Sequence, residues 1–163
     1  MDAAFSPAGE VRLIPAGPDD AKALAQLATD SFTETFGHLY SPADLQSHLD
    51  AKCSASFFTH WIKQPGRHVL IAWAGAHPVG YISWGPLELP HEEAPAGSME
   101  ICRLYVLASH QGLKLGRRLI EAVLAATAHA PALYLGVWEH NHKAQMFYAS
   151  YGFQPAGEHV YYV

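Results

Sequence analysis

The sequence predicts a single α/β domain over residues 1–163, built as a mixed, twisted sheet with helices on both faces. Three observations support this fold class. A chain of 163 residues is long enough to bury a full core as one domain. Half of its residues are hydrophobic and only 15% are charged, which is typical of a globular protein. Strand patterns come first as a hairpin and later alternate with helix patterns, so both antiparallel and parallel pairing are expected.

Local signals place the individual elements. Apolar residues recur at helical spacing after Asp20, Ser41 is a plausible helix N-cap followed by Pro42, and Gly75 marks a turn between two strands. The predicted elements are, in order, a strand at 11–15, helices at 21–36, 41–49 and 54–64, strands around a turn within 68–87, a strand at 98–107, a helix from about 114, a strand at 132–138, a helix at 142–152 and a last strand at 158–163.

Composition excludes several classes of function. The net charge of −5 and the lack of a basic stripe argue against nucleic acid as a partner. No apolar stretch is long enough to cross a membrane, and the first ten residues do not resemble a signal peptide. Cys53 and Cys102 form no disulfide framework, so a reducing cytoplasm is expected. The eleven histidines are scattered and match no HExxH or CxxC pattern, so no metal is expected.

The stretch HQGLKLGRRLIEAVLAATA, residues 110–128, follows a predicted buried strand and begins a helix. The first N–H groups of a helix lack acceptors within it, and its dipole places partial positive charge there, so such a loop is a natural anion site. The alternative is an ordinary strand-to-helix turn with solvated arginines. The residues of this stretch alone leave both interpretations open.

Two segments resemble the GNAT N-acetyltransferases. RLYVLASHQGLKLGRRLIEAVL is similar to the strand, loop and helix with which that family binds acyl-CoA, with Gln111 and Gly116 at matching positions and Lys114 where a glycine is expected. NHKAQMFYASYGF is similar to the family's Asn-x-x-Ala-x-x-Phe-Tyr segment, through Asn141 and Tyr148. The close resemblance covers about residues 99–153, which would form the acyl-CoA-binding core. The segment SFTETFGHLYSPADL is similar to the substrate-side helices of small-amine acetyltransferases.

The resemblance implies acetyl-CoA as co-substrate, held beside a splayed central pair of strands. The backbone N–H groups of residues 112–117 would bind its pyrophosphate. Arg117 and Arg118 would add positive charge, with at most one of them pointing at the phosphate, because neighbours on a helix face different ways. The backbone around Leu104 to Val106 would pair with its pantetheine arm, and Asn141 would hydrogen-bond that arm. Residues expected to contact the coenzyme are Leu104, Tyr105, Val106, Gln111, Gly112, Leu113, Lys114, Leu115, Gly116, Arg117, Asn141 and Lys143.

The resemblance also suggests how the acetyl group is transferred. Tyr148 is the candidate general acid, because a phenol can protonate the coenzyme thiolate as the thioester breaks. An alkyl ammonium must lose a proton before it attacks, so a base is needed. Glu100 is the first candidate and Glu34 the second, although either could be only a paired or solvated carboxylate. Glu34 and Tyr40 are the expected substrate-side residues.

The predicted function is therefore acetyl transfer from acetyl-CoA to a primary amine of a small, polyamine-like or amino-acid-like molecule. The alternatives are a non-catalytic sensor of acyl-CoA, which Lys114 would favour, and an acetyltransferase acting on a protein N-terminus or lysine. The family usually closes with two strands after the Gly-Phe pair, whereas here only residues 158–163 follow as a strand pattern. An uncovered edge of this kind predicts a homodimer.

Overall fold

The computed structural model describes residues 10–89 and 91–157. Within these ranges one five-stranded sheet runs in the order β1–β2–β3–β4–β5. Its strands are β1 (Arg12–Pro15), β2 (His68–Ala74), β3 (His77–Pro86), β4 (Met99–Val106) and β5 (Leu133–Leu135). The first four strands pair in antiparallel fashion and β5 is parallel to β4, so the predicted mixed sheet is confirmed.

Helices cover both faces of this sheet, as predicted. They are α1 (Ala21–Phe36), α2 (Pro42–Lys52), α3 (Ala55–Lys63), α4 (Leu115–Ala126) and α5 (His142–Ala149). The local signals act as expected: the Ser41 hydroxyl accepts a hydrogen bond from the Asp44 N–H at 3.1 Å, which caps α2. Gly75 adopts a φ of 61° in the turn between β2 and β3, a conformation that glycine accepts without a steric cost.

Each face of the sheet has its own core. We call the first the α1-side core; its innermost residues include Leu24, Leu27, Phe58, Ile71 and Tyr81, all at most 2% exposed. We call the second the α4-side core; its innermost residues include Ile82, Leu119, Ile120 and Val123, all fully buried. Burial of each of these side chains contributes about 1.5–3 kcal/mol, so both helical layers are held firmly against the sheet.

The last part of the sheet differs from the prediction. The strand expected at 132–138 extends only over Leu133–Leu135, because the chain leaves β4 at Gly136. Glycine at this point has no side chain to keep in the ladder, and a change of direction is easy there. The strand expected at 158–163 lies outside the described residues.

Candidate active site

The central feature of the site is a gap between β4 and β5. The two strands pair only from Met99 to Ile101 on β4, so that residues 102–106 have no neighbouring strand on this side within the described part of the chain. Cys102 is an extra residue in the β3–β4 ladder, where Ser83 pairs with Arg103 and Trp84 with Ile101. Such a bulge increases the local twist and turns the following residues of β4 away from β5. Leu104, Tyr105 and Val106 therefore offer a free strand edge.

A loop with unpaired N–H groups lies at one end of this edge. β4 is followed by a 3-10 turn at Ala108–His110 and then by α4, which begins at Leu115. Within the described residues, the backbone N–H groups of residues 112–117 have no hydrogen-bond acceptor, and the first helical bond is donated by Arg118 to the Lys114 carbonyl. This row of donors at a helix N-terminus provides what an anion needs. The residues present therefore fit a pyrophosphate.

The backbone conformation of this loop explains why a glycine is expected at position 114. Lys114 is the N-cap of α4 and has a φ of 61°, in the left-handed region that costs other L-residues roughly 1–2 kcal/mol. Gly112 is left-handed as well, with a φ of 88°. Consecutive N–H groups in such a path converge on a concave surface that suits an anion. Lys114 adopts the left-handed conformation that a glycine would adopt here, and its side chain is exposed.

The polar side chains around the loop have protein partners. Gln111 donates from its amide to the Val106 carbonyl at 2.9 Å, which ties the loop back to β4. Arg117 pairs with Glu121 at 3.0 Å. Arg118 donates to the Val11 carbonyl at 2.8 Å, so its guanidinium is turned toward the start of β1, in keeping with the expectation that at most one of the two arginines points at the phosphate.

Leu113 and Leu115 have opposite environments in the same loop. Leu115 is 2% exposed and anchors the first turn of α4 in the α4-side core. Leu113 is 41% exposed and stands outside it. Gly116 lies against Phe147 of α5, since a Cβ there would be 3.7 Å from that ring. The start of α4 is therefore packed against the helix that carries Tyr148.

Tyr148 lies in α5, with its ring packed on Phe147 and Phe153 at the border of the α4-side core. Burial raises the pKa of Tyr148 to about 12. Its phenol also contributes to the raised pKa of Tyr105 on β4, after burial and Tyr81, so the two phenols lie within electrostatic reach. Tyr148 is thus a protonated hydroxyl near the free edge of β4.

Asn141 and Lys143 begin the same helix. The Asn141 side-chain oxygen accepts a hydrogen bond from the Ala144 N–H at 3.2 Å, which makes it the N-cap of α5. Its amide nitrogen has no hydrogen-bond partner among residues 10–89 and 91–157. Lys143 is exposed in the first turn.

The two candidate bases accept hydrogen bonds from backbone N–H groups. Glu100 is only 8% exposed, and its Oε1 accepts from the Glu88 and Leu89 N–H groups at 2.8 and 3.1 Å. Its Oε2 has no partner within the described residues, and burial raises the pKa of this carboxyl. Glu34 is exposed and accepts from the Ala108 N–H at 2.9 Å, which joins α1 to the loop after β4.

Aromatic rings surround the substrate-side residue Tyr40. Phe32 of α1 lies 5.8 Å from Tyr40 and 4.1 Å from His48, measured between ring centroids. One turn further along α1, Phe36 lies 6.4 Å from Tyr105 and 6.2 Å from Trp138. A continuous set of rings therefore runs from α2 to the gap.

Sequence reasoning missed three residues of this region: Phe36, Arg103 and Trp138. Arg103 places a guanidinium 4.5 Å above the Phe57 ring, and its Nη1 is buried without a hydrogen-bond partner among the described residues. A charged residue inside the apolar run ICRLYV could have indicated it. Phe36 and Trp138 come from distant parts of the chain, and no local pattern joins them.

Comparison with known proteins agrees with this architecture. Residues 21–153 match the acetyltransferase (GNAT) family, so the chain belongs to that family and the resemblance is confirmed. An uncharacterized N-acetyltransferase in the pepI 3' region of Lactobacillus delbrueckii subsp. lactis is 29% identical over 93% of this chain and 88% of its own length. The uncharacterized N-acetyltransferase Rv2669 of Mycobacterium tuberculosis is 30% identical over 87% of this chain and 88% of its own length.

Solved structures share the fold at lower identity. The PaiA N-acetyltransferase from Thermoplasma acidophilum, in complex with coenzyme A, superposes with a TM-score of 0.75 at 20% identity and covers 89% of this chain and 90% of its own. The aminoglycoside N-acetyltransferase AAC(6')-Iy, also with CoA, superposes with a TM-score of 0.70 at 12% identity and covers 94% of both chains.

These findings define the class of enzyme. The protein is an acetyl-CoA-dependent N-acetyltransferase of the GNAT type. Among residues 10–89 and 91–157, none of the helices has the length and apolar character needed to span a membrane. The same residues contain no group of three or more His, Cys, Asp or Glu side chains that could hold a metal ion.

Proposed function

We propose that the enzyme acetylates a primary amine of a small molecule, by direct attack of the amine on acetyl-CoA with Tyr148 as the general acid. The observation that carries this proposal is the gap between β4 and β5. Unpaired N–H groups lie at one end of the free β4 edge, and the protonated phenol of Tyr148 lies close to that edge. A long thioester can be bound along such an edge with its reactive end held beside a proton donor.

The coenzyme would be held mainly by backbone groups. The N–H groups of residues 112–117 suit its pyrophosphate. The strand edge at 104–106, where only the Val106 carbonyl is engaged by Gln111, suits its amide-containing arm, in the way an added strand pairs with a sheet. Arg117 and Lys143 are exposed at the two helix N-termini and would add positive charge around the phosphates. The amide nitrogen of Asn141 would donate to the arm, while its oxygen caps α5.

Tyr148 would act when the tetrahedral intermediate collapses. The amine nitrogen bonds to the thioester carbon, the C–S bond breaks, and the sulfur leaves with the electron pair of that bond. The Tyr148 hydroxyl donates its proton toward this sulfur. With a pKa of about 12, Tyr148 is protonated throughout the neutral range. Full transfer to a thiolate with a reference pKa of about 8.5 would be uphill, so the phenol would act by partial donation as the C–S bond breaks. The phenol regains a proton from water afterwards.

The state of Cys102 supports direct attack rather than an acetyl-cysteine intermediate. Cys102 lies in the bulge of β4 where the gap opens, so its thiol is the nearby sulfur nucleophile to consider. Burial, reinforced by Glu100, raises the pKa of Cys102 to about 12. A thiol with this pKa is almost entirely uncharged at neutral pH, and the thiolate is the reactive form.

Glu100 is the proposed base, acting directly or through water. Its Oε1 is engaged by two backbone N–H groups, but its Oε2 is not, and a raised pKa makes a carboxylate a better proton acceptor. Glu34 and Tyr40 would line the acceptor side. Glu34 also fastens α1 to the loop after β4, so its loss would disturb both binding sites.

A thiol-release assay tests this function. The purified chain is mixed with acetyl-CoA and with primary monoamines, polyamines, amino acids, aminoglycosides, or peptides with free N-termini and lysines. The expected result is coenzyme A release with at least one small primary amine and little release with peptides. Release with peptides alone would overturn the small-molecule assignment, and no release with any acceptor would overturn the proposed reaction.

A cytoplasmic location and a homodimer are the other predictions made from the sequence. The homodimer depends on residues 158–163, which lie outside the described part of the chain. Light scattering at micromolar concentration tests it, and a single-chain mass would contradict it.

A further inference from the structure

The acceptor side of the gap is bordered by what we call the aromatic wall: Phe36, Tyr105 and Trp138. Phe36 contacts the other two rings edge to face, at interplanar angles of 83° and 76°. Tyr105 belongs to β4, and Trp138 follows β5 after the two strands have separated. The Phe36 ring therefore bridges the two diverging segments from the α1 side.

The wall lies next to the reacting groups. Tyr105 is within electrostatic reach of Tyr148, the proposed acid. Trp138 is 44% exposed, although it already contacts Phe36 and lies 5.0 Å from the His140 ring. Large exposed aromatic surface beside a reactive site is typical of a ligand contact, because covering it removes apolar area from water.

The buried positive charge of Arg103 disfavours a polyamine as the acceptor. Arg103 lies over the Phe57 ring, within electrostatic reach of Tyr105 and Tyr81, and has no ion pair with a carboxylate among the described residues. Its positive charge is poorly screened, because it is largely buried. The second ammonium group of a bound polyamine would be repelled by Arg103, whereas the reacting amine loses its charge before it attacks.

Each carboxylate around the wall has one oxygen engaged within the protein. Glu34 accepts a hydrogen bond from the Ala108 N–H, Glu139 lies 3.4 Å from the His140 ring nitrogen, and Glu100 accepts from two backbone N–H groups through Oε1. The wall itself keeps apolar surface open to solvent, since Trp138 is 44% exposed.

We infer that the acceptor is a monoamine with an aromatic or otherwise flat apolar body, which stacks on the aromatic wall with Trp138 as the main specificity determinant. This inference rests on the proposed function and names its substrate class. Flat rings gain from offset or edge-to-face contact with the wall, beyond the area that they bury. A polyamine would be a poor substrate.

Steady-state kinetics with two amines test the inference. With saturating acetyl-CoA, 2-phenylethylamine is expected to have a higher kcat/KM than spermidine, and Trp138→Ala to lower the value for 2-phenylethylamine about tenfold or more, mainly through KM. The value for ethylamine and the KM for acetyl-CoA should change less than threefold. Trp138→Phe should restore most of the loss. Ile14→Ala, at an exposed apolar position on the far edge strand, is the control and should behave as the parent.

Direct binding separates failure of the inference from failure of the function. Calorimetry with 2-phenylethylamine, in the presence of coenzyme A, is run on the parent and on Trp138→Ala. Binding that Trp138→Ala abolishes, without turnover, would support the inference and overturn the proposed reaction. Turnover of spermidine without measurable 2-phenylethylamine binding would support the reaction and overturn the inference. A uniform effect of Trp138→Ala on all amines would also overturn it.

Discussion

The two faces of the sheet are built from different chemistry. The buried residues of the α4-side core are all aliphatic, whereas those of the α1-side core include Phe58, Trp61 and Tyr81, with Arg103 packed beside them. The aliphatic face holds α4, and the first N–H groups of this helix belong to the row of unpaired donors at residues 112–117. The aromatic face carries groups that can recognise an acceptor. In the proposed function, coenzyme binding and acceptor recognition therefore use different faces of the sheet and meet at the gap between β4 and β5.

The largest expected effect is a loss of kcat with acetyl-CoA affinity unchanged. Tyr148→Phe removes one hydroxyl and retains the ring contacts with Phe147 and Phe153. Loss of a general acid is expected to lower kcat by about 10²-fold or more. Acetyl-CoA affinity, measured by calorimetry, should stay within about twofold, because the proposed phosphate site is at residues 112–117. A parental kcat with the true acceptor would show that another group donates the proton.

The second expected effect is a loss of acetyl-CoA affinity with kcat unchanged. Gly116→Asp places a carboxylate at the mouth of α4, where it would repel the pyrophosphate. Acetyl-CoA affinity is expected to fall by about tenfold or more, while the parental kcat is retained at saturation. The space at Gly116 admits a Cβ at ordinary contact distance from Phe147, so Gly116→Ala is the matched control with a small effect. Equal affinities for the Ala and Asp variants would place the phosphates elsewhere.

A third variant distinguishes a catalytic from a structural Glu100. Glu100→Gln keeps an oxygen that can accept from the Glu88 and Leu89 N–H groups and removes the charge. If Glu100 is the base, kcat/KM at neutral pH should fall by about 10²-fold. If it only anchors the loop, the activity should stay near the parental value.

The pH dependence of stability provides a control for that variant. Burial raises the pKa of Glu100, so the folded state favours the neutral carboxyl. The contribution of Glu100 to the free energy of unfolding is fully present below its unfolded pKa of about 4.3. It is lost as the pH rises through the higher pKa of the folded state. Urea unfolding should therefore show Glu100→Gln gaining stability relative to the parent across that window. A difference that does not change with pH would contradict the raised pKa.

The smallest effect concerns the backbone of the coenzyme loop. Lys114→Gly relieves the left-handed conformation at a φ of 61° but adds conformational freedom to the unfolded chain, so a net gain of about 0.5 kcal/mol is expected. Lys114→Ala should give no gain. The midpoint of urea unfolding measures both, and a loss of stability in Lys114→Gly would mean that the lysine side chain contributes contacts of its own.

Local sequence signals determined most of the fold. Helical spacing, the Ser41 cap and the Gly75 turn each depend on residues within a few positions, so the sequence predicted α1, α2 and the β2–β3 hairpin correctly. The sequence motif at 111–116 likewise predicted a loop that leads into the N-terminus of a helix, because this feature depends on the backbone of consecutive residues. These features can be predicted without knowing which elements pack against them.

Tertiary structure alone decided how the side chains are used. Glu34 meets the Ala108 N–H, Glu100 meets the N–H groups of Glu88 and Leu89, and Arg118 meets the Val11 carbonyl, each across a long stretch of chain. The length of β5 depended on where β4 turns away. The aromatic wall joins residues of α1, β4 and the segment after β5, and only the packing of these elements brings the rings together. The physical reason is that a side chain's partner is chosen by which elements meet in space, and spacing along the chain does not encode that choice.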